Sequence, residues 1–230
     1  MFAFLLAAAA MITPEAPFDA SDASNPSFHA RSNRYQDCIA LIEEDVEIGR
    51  LAAQQWTDEG GAAPAVHCLA VADLAAGFPK LAALRLADAA NRLDAGDILV
   101  RARLQEQAAR AWLEAGEPAF AREAIDNAQK LAPNSGELSL TAGLVSAAQE
   151  QWQSTIDAIT AAEEQGVSTI AGFIARARAY KALLQNKEAA EDVVAALKIN
   201  PFDLDALVLR GELQQLGIAI DANYRRAPTQ

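Results

Sequence analysis

The chain has 230 residues, with 19 Lys and Arg against 31 Asp and Glu and a net charge of −12. That length holds one extended domain or two compact ones, and the acidity leaves no basic stripe of the kind that nucleic acid requires; it reads first as solubility, and the tight basic pair Arg225-Arg226 sits in a short tail. Hydrophobic residues make up 52%, much of it alanine, which favours helix and close helix packing. No sustained alternation of apolar and polar residues marks a strand, so the expected class is all-α.

Residues 2–12, Phe-Ala-Phe-Leu-Leu-Ala-Ala-Ala-Ala-Met-Ile, form an apolar run far short of the ~20 residues a membrane-spanning helix needs. Its length and position fit the apolar core of a secretory signal peptide, with Ala8 and Ala10 or Ala16 and Ala20 as candidate processing sites, although no Lys or Arg precedes it. The expectation is a signal peptide over 1–20 and a periplasmic or otherwise exported protein. The alternative is a cytoplasmic protein in which 1–12 is disordered or packs. No cysteine follows the run closely enough for a lipid anchor. Pro26, with several Ser and Asp, makes 21–32 a flexible linker, and an ordered domain is expected from Asn33 to about residue 222.

In 33–59, Cys38, Leu41 and Ile42 mark one helix, and Ile48, Leu51, Ala52 and Trp56 mark the next. The acidic run Glu43-Glu44-Asp45 with Glu47 falls at their junction, since acids favour a helix N-terminus. Gly60-Gly61 ends the pair. Residues 63–96 carry Leu69 and Ala70 in a first helix, a turn at Gly77, and Ala82, Leu86 and Ala89 in a second. Gly77-Phe78-Pro79 is echoed by Gly116-Glu117-Pro118, each setting proline at a helix start, where its missing N–H costs little. About five residues beyond the period lie between these units, around Gly96–Arg101.

Residues 102–135 form the clearest unit: Ala109, Trp112, Gly116, Ala121, Ile125, Ala128, Pro133. Two periods later the pattern returns as Ala177, Tyr180, Ala189, Val193, Ala196 and Pro201, in 170–203. Between them, 136–169 keeps Gly143, Ile159 and Ala162 but has Val167 where proline would stand. Residues 204–217, with Leu207, Arg210 and Gly211, read as a lone capping helix, and 223–230 as a disordered tail.

This order of small residue, aromatic, small, β-branched, small and proline resembles the tetratricopeptide repeat (TPR), whose unit is about 34 residues. The resemblance covers roughly 63–217. It implies a right-handed superhelical solenoid of antiparallel helix pairs, each covering the apolar face of the one before. It also implies a non-catalytic scaffold or adaptor that binds a protein or peptide partner and uses no cofactor. In such proteins the first helices line a concave groove. Here that side would comprise Arg103, Glu106, Arg110 and Leu113, then Glu137, Leu140 and Leu144, then Ile174, Arg178 and Lys181. Leu140, Leu144 and Ile174 are the expected apolar anchors, and the basic groups suit an extended peptide with an acidic group, or an amphipathic helix. The charges do not match a carboxylate clamp, which argues against capture of a chaperone C-terminus. Self-assembly through the weakly capped end near Gly217 is an alternative.

Cys38 and Cys68 fall on the first helices of adjacent pairs, which neighbour each other in such a stack. Two readings stand: a disulfide, which an exported protein would form readily, or two buried thiols acting as small apolar residues. For zinc, the chain offers only His29, Cys38, His67 and Cys68, and adjacent His67 and Cys68 diverge by roughly 100° on a helix. No metal site and no Cys–His catalytic pair are expected. P-loop, GxSxG, HExxH and dinucleotide-loop motifs are missing, and the pair Glu163-Glu164 reads as solvated, so no residue is assigned a catalytic role.

Overall fold

The computed structural model describes residues 26–220, with side chains from Asn33 onward. The expected signal peptide, its processing sites and the tail from Asn223 lie outside the described residues. Those residues form eleven helices and no strand. Chain contacts divide them into two compact units that meet in sequence at Pro133 and Asn134.

The first unit holds three helix pairs: α1 (Pro26–Glu44) with α2 (Val46–Asp58), α3 (Ala62–Ala75) with α4 (Pro79–Asn91), and α5 (Ile98–Glu114) with α6 (Pro118–Leu131). Helix α1 starts inside the stretch expected to be linker, so 26–32 is helical; Pro26 opens it, a position where proline has no hydrogen bond to lose. The acidic junction is a cap: α1 ends at Glu44, and the Asp45 carboxylate accepts from the backbone N–H groups of Glu47 and Ile48.

Of the residues that marked α2, Trp56 is buried but Ile48 and Leu51 are not. Ile48 and Leu51 are 55% and 69% exposed, and the buried residues are Gly49, Ala53 and Trp56. The cause is close approach: a Cβ on Gly49 would stand 2.6 Å from Ile42 backbone, so only glycine lets α2 lie against α1.

The other two pairs follow the repeat. Leu69, Ala70, Ala82, Leu86 and Ala89 are all buried, as are Ala109, Trp112, Ala121, Ile125 and Ala128. Gly77 and Gly116 adopt φ of +80° and +72°, the left-handed conformation that ends α3 and α5. Pro79 and Pro118 then open α4 and α6. The residues in excess of the period are shared between the 92–97 connection and an extra first turn of α5, capped by Asp97 and held to α4 where Arg101 Nε donates to the Ala90 carbonyl. Asp73, fully buried on α3, accepts 2.7 Å hydrogen bonds from Arg50 of α2 and Arg85 of α4, so one carboxylate ties three helices.

The second unit holds α7 (Gly136–Ala148), α8 (Trp152–Glu164), α9 (Ile170–Ala182), α10 (Asn186–Ile199) and the single α11 (Leu204–Gln215). Gly143 is required where α7 crosses α8: a Cβ there would meet Ile159 Cδ1 at 2.5 Å. Val167 replaces the repeat proline because it packs against the Leu140, Ile159 and Ala162 cluster. Arg176 of α9 binds Asp192 of α10 with two 2.8 Å bonds and reaches Thr160 and Glu163 of α8, so Glu163 is ion-paired rather than simply solvated. Helix α11 closes the unit with Ala206, Leu209 and Leu213 against Phe173, Ile174, Val193 and Leu197.

Candidate partner-binding surface

In the first unit, Cys38 and Cys68 form a disulfide, with Cα atoms 6.5 Å apart, joining α1 to α3. The pairing decides between the two readings of these cysteines. Immediately beside it, the Tyr35 hydroxyl donates to His67 Nδ1 at 2.8 Å, and His67 Nε2–H donates to Gln107 Oε1 at 2.9 Å. One neutral imidazole thus links α1, α3 and α5. His67 has no exposed surface. Burial pushes its pKa down to about 4, against an opposing pull from the Gln107 hydrogen bond. Burial likewise holds the Tyr35 phenol above its ordinary range. This arrangement has no access to a substrate, and its chemistry is that of a hydrogen-bonded pin.

The expected groove residues separate into four sorts. Leu140 and Ile174 are each 5% exposed and belong to cores: Leu140 packs with Ile159 and Ala162, and Ile174 with Val193 and Leu209. Glu106 is buried and ion-paired with Arg110 one turn on, in the same helix. Arg103 and Glu137 are exposed, and Leu113 and Leu144 are half-buried. Arg178 and Lys181, on α9, are neither buried nor free: Arg178 reaches Asp205 at 2.8 Å, and Lys181 reaches Glu212 at 2.5 Å.

Helices α7, α9 and α11 lie side by side. The two ion pairs join α9 to α11, and half-buried Leu144 holds on α7 the repeat position that Arg178 holds on α9. Asp205 and Glu212 were not among the expected residues; they lie on the helix expected only as a cap. A signal for them existed, since Arg178 and Asp205 sit one helix pair apart on consecutive first helices. A surface of this kind can take an extended segment or a helix whose own acidic groups exchange with Asp205 or Glu212. Among the described residues, no group of His, Cys, Asp and Glu is arranged to hold a metal ion, and no helix is long and apolar enough to cross a membrane.

Antiparallel helix pairs, small residues at their crossings, an aromatic wedge at Trp112 or Tyr180, and glycine–proline turns together define a tetratricopeptide-repeat fold. Comparison with solved structures agrees. The crystal structure of YrrB, a TPR protein with an unusual peptide-binding site, superposes with a TM-score of 0.59 at 16% identity, covering 77% of this chain and 90% of that one. TTC0263, a thermophilic TPR protein of Thermus thermophilus, gives 0.58 at 18% identity, covering 80% and 99%. No family model matches the sequence, and no curated protein matches it.

Proposed function

We propose that this chain is a non-catalytic scaffold that holds a protein partner on its first-helix surface in the bacterial cell envelope. The observation that carries the reading is the pair of exchangeable ion pairs that Arg178 and Lys181 of α9 make with Asp205 and Glu212 of α11, with half-buried Leu144 at the equivalent position of α7, one period before Arg178. An acidic peptide or amphipathic helix would replace the Asp205 and Glu212 carboxylates on Arg178 and Lys181 and cover Leu144. The peptide-binding site of YrrB supports the general mode of binding. The envelope location is supported by the Cys38–Cys68 bridge, since disulfides persist in oxidising compartments.

The test is photocrosslinking in living cells from position 205 on α11, which leaves Arg178 and Lys181 in place, with exposed position 191 on α10 as the control, followed by fractionation. The expected result is a discrete product from 205, absent from 191, lost in Lys181→Glu and found with envelope proteins. No product from 205, or equal products from both positions, overturns the binding surface. A product confined to the cytosol overturns the location.

A further inference from the structure

Gly143 and Gly211 lie two periods apart and fill the slot that Ala109 and Ala177 fill in the other two units. Their surroundings are opposite. At Gly143 a Cβ would strike Ile159 of α8, the second helix of that pair; among the described residues, a Cβ at Gly211 would meet nothing within 4 Å from outside its own turn of helix. Helix α11 is therefore a first helix whose second helix is missing among the described residues, and the slot that such a helix would fill is open. Leu204 and Val208 lie on the same stripe, one per turn, and are 78% and 60% exposed; Gln215 continues it. Asp205 and Glu212, beside the stripe, are turned to α9 and engaged by Arg178 and Lys181. The open face is thus uncharged along its length.

We propose that α11 is a homodimerisation helix, and that the occupant of this face is α11 of a second copy, packed antiparallel about a two-fold axis. The stripe is self-complementary in that register. With the axis between residues 209 and 210, Val208 of one protomer enters the gap at Gly211 of its partner, and its partner's Val208 enters the first protomer's gap. Leu204 then lies over Gln215, and glycine lets the two backbones approach closely. Phe202, 80% exposed just before α11, is brought toward Leu216, 55% exposed just after it. Complete burial of these four apolar side chains in both copies would remove at most about 1,000 Å², which is the size of a weak, reversible dimer. This proposal rests on different residues from the partner surface above: the stripe is Leu204, Val208, Gly211 and Gln215, and the ion pairs occupy the neighbouring strip of α11, on the side toward α9.

The experiment is sedimentation equilibrium of the full chain, wild type and Gly211→Arg. The slot is open, so the arginine fits the monomer, and replacing a helical glycine raises helix propensity; helical circular dichroism and thermal stability of the variant monomer should be retained. Its dimer dissociation constant should rise at least about tenfold. In parallel, Val208→Cys protein mixed with Gly211→Cys protein should form a crosslinked dimer faster than either does alone. A wild type that is monomeric at about 100 μM, a dimer indifferent to Gly211→Arg, or no preferential crosslinking in the mixture each overturns the proposal.

Discussion

Full burial makes His67 a source of acid sensitivity. Its folded pKa of about 4 lies below the ordinary 6.5, so between those values the unfolded chain binds a proton that the folded chain refuses. Stability from this residue is complete above about pH 6.5, declines as pH falls through that window, and stops declining below about 4. The depression corresponds to about 3 kcal/mol across the window. Urea midpoints near pH 7 and near pH 4.5 should show a steeper loss in wild type than in His67→Gln, which cannot take up the proton; equal slopes would remove His67 from the account. Two glycines of the same slot should respond with opposite signs. Gly211→Ala meets open space and gains helix propensity, up to about 1 kcal/mol of stability. Gly143→Ala drives a methyl into Ile159 and should destabilise by about 1 kcal/mol net, since overpacking outweighs propensity. Thermal unfolding of the two variants checks the pair.

Single elements are held by few polar ties, and cutting one should release a particular helix. The Cys38–Cys68 bridge closes a sequence separation of 30, for which the chain-entropy contribution is about 3–4 kcal/mol. Reduction, or the double change Cys38→Ser and Cys68→Ser, should raise amide exchange across α1 far more than across α9; uniform change in both would mean that the bridge does not act locally. Removing Arg176 by Arg176→Met strands buried Asp192 between α9 and α10, a loss of about 3 kcal/mol. How well each element could be read in advance follows from the same physics. Where small residues recur at the crossings, as at Ala109, Ala121 and Ala128, the period alone specified the buried face. On α2, Trp56 marked the buried face but Ile48 and Leu51 did not, because a glycine against Ile42 set the rotation of the helix. On the first helices, a rotation of one residue separates a core position from a surface one. Periodicity therefore could not tell Leu140 and Ile174, which are core, from Leu144, which keeps some surface. Asp205 and Glu212 were missed because their role depends on the neighbouring helix, not on their own.

At the scale of the molecule, charge and the open face of α11 act against each other. Each copy carries −12 at neutral pH, so two copies repel at a distance. The face that would join them is apolar and uncharged, with the adjacent carboxylates already neutralised by Arg178 and Lys181. Salt should screen the repulsion, with a Debye length of ~10 Å at 0.1 M and ~3 Å at 1 M, while leaving burial of Leu204 and Val208 intact or stronger. Dimerisation is therefore expected to tighten as salt rises. A partner held through Arg178 and Lys181 should respond in the opposite sense, because its carboxylates must compete with Asp205 and Glu212 through forces that salt weakens. Sedimentation at low and high salt, with and without the crosslink-identified partner, separates the two surfaces. If dimerisation weakens with salt, the contact is ionic and not α11. If partner binding strengthens with salt, apolar contact at Leu144 carries it, and the exchange of ion pairs on α9 and α11 does not.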